Sequence, residues 1–346
     1  MKKILYVTII GLLTLAGCGK SDDKTEEKLI FKHENTPNVV RVGEDVYYKE
    51  NGVEKNHLFG FLDNEFYYFT EKDNKGIKFD VKQLTKNVIN ISVPMGSSIF
   101  IAEGDDRAVV IDTAVGIGNV KNMVEMFLED KPYDVLMTHT HVDHVGGIFD
   151  FETVYTTTKD AEWAPNRWGL DGRLNYAGVT EEKGIYSIKD FAKETESYNF
   201  SYLEDGDVFN LGNYDVEVYE VPGHTLGSAI YLLKQDRILL SGDDACPSTL
   251  LSFNDGEIRY DSETVETYEE NLKKLNKNND KWDYVLTSHT NGTLESKSLI
   301  DDLIDCCEDI KTKNPSNASV EEQQTKFSKT INGHRIAYNT ARIYNV

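Results

Sequence analysis

The chain has 346 residues, 39% of them apolar and 11% aromatic, which is enough to bury a sizeable core and excludes wholesale disorder. Its 59 acidic against 37 basic side chains give a formal charge of −22. That balance argues against nucleic acid as a main partner, because phosphate binding needs clustered cations, and four cysteines are too few for a disulfide scaffold.

The first element is an address. Met1-Lys2-Lys3 is followed by an apolar run over residues 4–16 and then by Leu15-Ala16-Gly17-Cys18. The run is short for a membrane span. The tetrapeptide resembles the lipobox of bacterial lipoproteins. The resemblance implies a signal peptide over residues 1–17, cleavage before Cys18, lipid on Cys18 and an extracytoplasmic, membrane-anchored protein. An acidic surface is repelled by anionic headgroups, so attachment would rest on acyl chains, and stable anchoring takes more than one. Residues 18–28 are polar and read as a tether.

Residues 29–87 carry short aromatic and β-branched runs such as Val46-Tyr47-Tyr48 and Glu65-Phe66-Tyr67-Tyr68-Phe69. Asn51-Gly52, Asp63-Asn64 and Asn74-Lys75-Gly76 punctuate them, so hairpins of a small β-rich module are expected. The Tyr-Tyr-Phe run resembles cell-wall-binding repeats, which makes the wall a candidate partner of this module. From Val88 the pattern changes to strands alternating with helices, and residues 88–346 read as one α/β domain. Strands are expected at 88–93, 99–102, 108–111, 133–137, 208–211, 214–221, 230–233, 237–240, 282–287 and 336–344. Helices are expected at 120–128, 262–276 and 296–311, with helical and loop character over 163–200.

The chemistry concentrates in Thr138-His139-Thr140-His141-Val142-Asp143-His144, followed by Val145-Gly146-Gly147. His139 and His141 are two apart, so extended backbone points them to one side. Asp143 and His144 follow where the strand has ended, and the glycines let the backbone pass close by. Imidazole and carboxylate together suit zinc and similar divalent ions. The same context recurs three times. Strand 214–221 is followed by His224, strand 237–240 by Asp243 and Asp244, and strand 282–287 by His289. Ligands of α/β sheets gather at the carboxyl ends of strands, so these ends are expected to converge on one cleft. His33, His57 and His334 lack such a context and are expected at the surface.

These motifs, with Asp112 after a strand, resemble the metallo-β-lactamase superfamily from about Val88 onward, in particular its glyoxalase-II-like, dinuclear branch. The resemblance implies a four-layer αββα sandwich carrying a paired metal site at one edge of two sheets. His139, His141 and His224 would hold one ion, Asp143, His144 and His289 the second, and Asp243 both, with Gly-Asp order favouring Asp243 over Asp244. Asp112 would organise the loops. The implied cofactors are two divalent ions, zinc first, with Mn or Fe as alternatives. The implied reaction is hydrolysis of a small ester, lactone, thioester or phosphoester by a metal-bridging hydroxide, with Asp143 as proton acceptor. True β-lactamases of the superfamily lack an Asp at the bridging position. Trp163, Arg167, Trp168, Arg173 and Tyr176 lie between ligand groups and are candidates to line a substrate pocket. Two alternatives are a mononuclear iron persulfide dioxygenase of the same fold and a non-catalytic lipoprotein that captures metal or solute. Cys246 is expected as a small buried thiol, with a bridge to Cys306 or Cys307 left open.

Overall fold

The structure, a computed structural model, describes residues 38–49, 59–95, 97–163, 169–178, 186–191, 193, 199–252 and 260–345. Cys18, the leader and the tether lie outside the described residues, as do His33 and His57. Among the described residues no helix is long and apolar enough to cross a membrane.

A hairpin of β1 (Val39–Val42) and β2 (Asp45–Tyr48) comes first. The next nine strands form one sheet in unbroken chain order. They are β3 (Phe59–Leu62), β4 (Glu65–Phe69), β5 (Gly76–Gln83), β6 (Val88–Ser92), β7 (Ser98–Glu103), β8 (Ala108–Ile111), β9 (Tyr133–Leu136), β10 (Thr153–Thr156) and β11 (Asn199–Tyr202). The second sheet starts with the antiparallel strands β12 (Val208–Asn210), β13 (Asp215–Glu220), β14 (Ala229–Leu233) and β15 (Ile238–Gly242). The chain then leaves it for β16 (Ser248–Leu251) and returns as β17 (Tyr284–Thr287) and β18 (Leu294–Ser296). Finally β19 (Thr325–Phe327) and β20 (Arg335–Asn339) join β16 in a three-stranded sheet.

Two-residue alternation explains the layers. In β8, Val109 and Ile111 face the second sheet, while Ala108 and Val110 pack under the helix Val120–Leu128. In β14, Ala229, Tyr231 and Leu233 face the first sheet. Ile230 and Leu232 pack outward, in the same cluster as residues of the helices Val265–Asn276 and Leu299–Lys313. Sheets buried on both faces need apolar residues at every position, as these strands have. The result is the expected αββα sandwich.

The hairpin strands expected within residues 29–87 extend this sandwich. β5 pairs antiparallel with β6, so β3 to β5 are an edge of the first sheet. The reason is the apolar inner face of those strands. Phe59, Phe61, Phe66 and Phe79 share one buried cluster with Val120 and Met123 of the first helix. The closing strand is shorter than expected, ending at Asn339, while Ile343 is buried in a separate turn.

Direction decides where the site forms. β8, β9 and β10 are mutually parallel. β13 and β15 each run antiparallel to β14 and so share a direction, and β17 is parallel to β15. The carboxyl ends of β13, β15 and β17 therefore lie at one edge. Two bonds pin that edge to the end of β9: the Ala229 amide donates to the Thr138 carbonyl at 2.8 Å, and the Tyr231 hydroxyl to the Met137 carbonyl at 2.6 Å.

Candidate metal centre

Each proposed ligand sits just past a strand. His139 follows β9, and the short helix Val142–Val145 begins immediately after His141 and presents Asp143 and His144. His224 follows β13, Asp243 follows β15 and His289 follows β17. The fold brings all seven together. His139, His141 and His224 form one group whose ligand atoms lie within 4.8 Å of one another. His139, His144 and Asp243 form a second such group, and Asp143, His144 and His289 a third. Asp243 Oδ2 lies 3.0 Å from His289 Nε2, 3.6 Å from His144 Nε2 and 3.9 Å from His224 Nε2. One carboxylate oxygen thus reaches both ends of the cluster. Asp244, its neighbour, turns away and accepts the His224 amide at 2.8 Å, which separates the two aspartates.

Buried bonds behind the ligands set which ring nitrogen faces the centre. Asp112 accepts the Thr138 amide at 2.7 Å and the Thr138 hydroxyl at 2.8 Å. That hydroxyl has spent its one proton, so at 3.1 Å from His139 Nδ1 it accepts from the ring. His144 Nδ1 lies 2.8 Å from the same Asp112 oxygen and donates to it. One buried carboxylate therefore turns the bare Nε2 atoms of His139 and His144 inward. The Leu250 carbonyl does the same for His224, at 2.8 Å from Nδ1. His141 is the exception: its Nδ1 lies 2.8 Å from His224 Nε2 and faces the cluster, while its Nε2 is 3.7 Å from Asp261. Such outer carboxylates fix tautomer and orientation in histidine metal sites. Asp112 itself has φ +63, a backbone state that Asp tolerates better than most residues.

The backbone must also come close. A Cβ on Gly146 would overlap the Val115 carbonyl, and one on Gly242, at φ +57, would sit 2.7 Å from Thr138 Cβ. Asp160, a residue with no signal in the sequence, ties two ligand loops together. It accepts the Thr140 amide at 2.8 Å, between His139 and His141, and the Thr225 hydroxyl at 3.0 Å, beside His224. It also accepts the Gly227 amide at 3.0 Å. Burial pushes this carboxyl up to about 6 against the pull of those donors.

The electrostatics fit a cation. His139 Nε2, His144 Nε2 and Asp243 Oδ1 are buried without a hydrogen-bond partner in the protein. Each such atom costs about 1–3 kcal/mol if left so, and three around one point form a donor set that a divalent ion satisfies. Burial, then the neighbouring imidazoles, hold His139 well below the usual imidazole range. Burial also works against charge on His144, but Asp143, Asp243 and Asp112 raise it well above that range. Asp243 stays well below the carboxylate range because His144 and His289 outweigh its burial. These side chains can hold one or more metal ions.

A cavity of about 810 Å³ opens over the cluster. The helix Leu170–Tyr176 lines one wall through Gly172, Asn175 and Tyr176, and Cys246, Pro247 and Leu250 line the other. The expected pocket residues divide. Tyr176 is in the wall, and its hydroxyl donates to Asp143 Oδ2 at 2.9 Å. Arg173 is not: it is fully buried, its Nη1 donates to the Gly146 carbonyl at 3.1 Å, and its guanidinium stacks 5.0 Å over Phe149. Gly172 and Tyr176 are one turn apart and share the cavity face, whereas Arg173 is rotated about 100° from Gly172. Trp163 follows the helix Thr158–Ala161, its amide donating to the Asp160 carbonyl, and takes no part in the wall. Arg167 and Trp168 lie outside the described residues.

Two further expectations are corrected. His334 is buried, with Nδ1 2.8 Å from Asp302, because that carboxylate gives the ring a partner inside. Cys246 is half-buried in the cavity wall rather than in the core, and there desolvation and the nearby Asp243 push its thiol up to about 12, so it stays protonated. Cys246, Cys306 and Cys307 are all free.

Comparison with known proteins agrees with this geometry. The chain is 27% identical over 176 residues to human acyl-coenzyme A thioesterase MBLAC2, covering 45% of this chain and 61% of that protein. It is 25% identical over 154 residues to the probable metallo-hydrolase YqgX of Bacillus subtilis, covering 43% of this chain and 66% of that one. The chain thus spans about three fifths to two thirds of these relatives. Among solved structures, the sec-alkylsulfatase Pisa1 from Pseudomonas sp. superposes with a TM-score of 0.52 at 15% identity, covering 69% of this chain and 43% of that one. That likeness concerns the fold alone. Residues 92–289, more than half the chain, match the metallo-beta-lactamase superfamily, and the chain belongs to that superfamily.

Proposed function

We propose that this chain is a zinc-dependent hydrolase with a paired metal site, cleaving a small ester, lactone, thioester or phosphoester. The observation that carries the reading is the convergence of seven histidine and aspartate side chains from four strand ends beneath an open cavity, with bare Nε2 atoms aimed inward. His139, His141 and His224 would hold one ion, and Asp143, His144 and His289 the other. Asp243 would serve both, as an Asp at this position does in the glyoxalase-II-like branch. Two divalent ions held there would supply a Lewis acid for the electrophile and a water ionised near neutral pH.

The chain's own residues do the rest. Asp112 fixes two rings, Asp160 holds the two loops in register, and the cavity walls seat the substrate. Asp143 Oδ2 faces the space between Tyr176 and His289, 3.5 Å from the His289 ring nitrogen, and is placed to accept a proton there. The name of the human relative supports thioesters within the substrate range. The third ligand group, Asp143, His144 and His289, favours paired ions over the single iron of a dioxygenase. An accessible cavity over the ligands favours catalysis over closed metal capture.

The test is a hydrolysis panel of phosphodiesters, lactones, thioesters and a β-lactam on chelator-treated protein reloaded with Zn, Mn or Fe. Turnover of at least one ester class is expected with zinc, with loss of both turnover and metal in His141→Ala and His224→Ala. Wild-type turnover in metal-depleted variants would end the reading. The sequence further supports a lipid anchor at Cys18 and an extracytoplasmic location, with residues 18–28 as tether. Cys18→Ser is expected to move the protein from the membrane to the soluble fraction of its cell, and unchanged fractionation would remove the anchor from the account.

A further inference from the structure

Tyr176 is a cavity-wall side chain from outside the ligand loops that bonds directly to a proposed ligand. Its hydroxyl donates to Asp143 Oδ2 at 2.9 Å and lies 3.3 Å from the Met95 carbonyl. Three separate pieces of chain meet at that oxygen: the helix Leu170–Tyr176, the short helix Val142–Val145 and the turn between β6 and β7. Met95, at the turn, has φ +92, a strained backbone for a side chain of its size. Strain of this kind persists only where surrounding contacts over-determine it. Asp143 Oδ2 also reaches the second group of rings, 3.5 Å from His289 Nε2 and 3.7 Å from His144 Nε2.

We propose that Tyr176 is a positioning residue that orients Asp143 and so sets the affinity of the second ion selectively. The inference rests on the paired-site reading. A carboxylate near two imidazoles can rotate about its last bond, and a fixed donor removes that freedom. Outer partners of metal ligands change affinity by about 10–100-fold when removed. Tyr176 touches the group of Asp143, His144 and His289, and nothing in its bonding reaches His139, His141 or His224. The effect is therefore confined to one ion. The residue is 42% exposed, so Tyr176→Phe keeps the ring in place and removes only the hydroxyl.

The experiment titrates metal-free, full-length wild type, Tyr176→Phe and Asp143→Asn with Co²⁺, followed by its visible absorption and by calorimetry. For Tyr176→Phe the first binding step should stay within twofold of wild type, and the second should weaken about tenfold or more. Equal weakening of both steps, or none, overturns the inference, the first because it marks a general loosening. Asp143→Asn should lose the second step. If Asp143→Asn keeps two wild-type steps, the paired-site reading itself fails, whatever Tyr176→Phe does. Thermal unfolding of metal-free Tyr176→Phe should match wild type within a few degrees, so that the change is read at the metal and not in the fold.

Discussion

The ligands were legible as residues, but their tautomers were not. His139 and His144 stand five apart in sequence, and nothing in that spacing says that one carboxylate 27 residues before His139 turns both rings. Asp112 was readable only as a loop organiser. The Thr138 hydroxyl relay appears once β8 and β9 lie side by side. Asp112→Asn keeps the shape and replaces one acceptor by a donor, which faces His144 Nδ1–H and the Thr138 hydroxyl with a clash of protons. Metal affinity, measured by competition with a chromophoric chelator, is expected to fall about 10–100-fold. Wild-type affinity in that variant would show that the relay does not set the rings.

At the scale of the elements, short apolar runs gave the central strands, because both faces of β7, β8, β14 and β15 are buried and their apolar runs are nearly continuous. The strands outside those expectations, β10, β11, β16, β18 and β19, are three or four residues long and carry polar residues such as Thr, Asn, Ser, Glu and Lys. Their pairing partners, distant in sequence, define them. Asp160 was likewise invisible, since its role exists only once the loops after β9 and β13 meet. Its carboxyl titrates near 6 in the folded protein, against an ordinary value of about 3.9 in an unfolded chain. The native state therefore binds more protons than the unfolded state between about pH 4 and 6, and stability falls as pH rises through that window. The contribution is about 3 kcal/mol at one pKa unit per 1.36 kcal/mol. Asp160→Asn removes the titration. In metal-free protein, urea unfolding from pH 4 to 7 should show wild type losing about that much relative to the variant, whereas parallel curves would contradict the assignment.

For the molecule as a whole, the boundary near Val88 reflects a change in pattern, antiparallel hairpins giving way to α/β alternation, and the physical sheet runs across it. The aromatic stretch reads as the hairpins of a small β-rich module, with the wall as a candidate partner from its Tyr-Tyr-Phe run. In the structure Tyr68 is buried and its hydroxyl donates to Asp190, whose carbonyl accepts the Gly118 amide beside the first helix. Removing residues 38–83 would bare the edge of β6, an edge that proteins normally cover, and would expose the apolar side chains of Val120 and Met123 that cluster with Phe59, Phe61, Phe66 and Phe79. The truncated chain is expected to aggregate on size-exclusion chromatography and to lose hydrolysis. A soluble, active truncation would mean the hairpins are dispensable to the fold.

The sandwich, its twin sheets and its strand directions all serve to bring His139, His224, Asp243 and His289 to one edge. The most direct test of that claim is anomalous diffraction at the zinc edge from crystals grown with zinc. The account predicts two peaks, one among His139, His141 and His224 and one among Asp143, His144 and His289, with Asp243 between them. Peaks elsewhere, or none at these side chains, would contradict it.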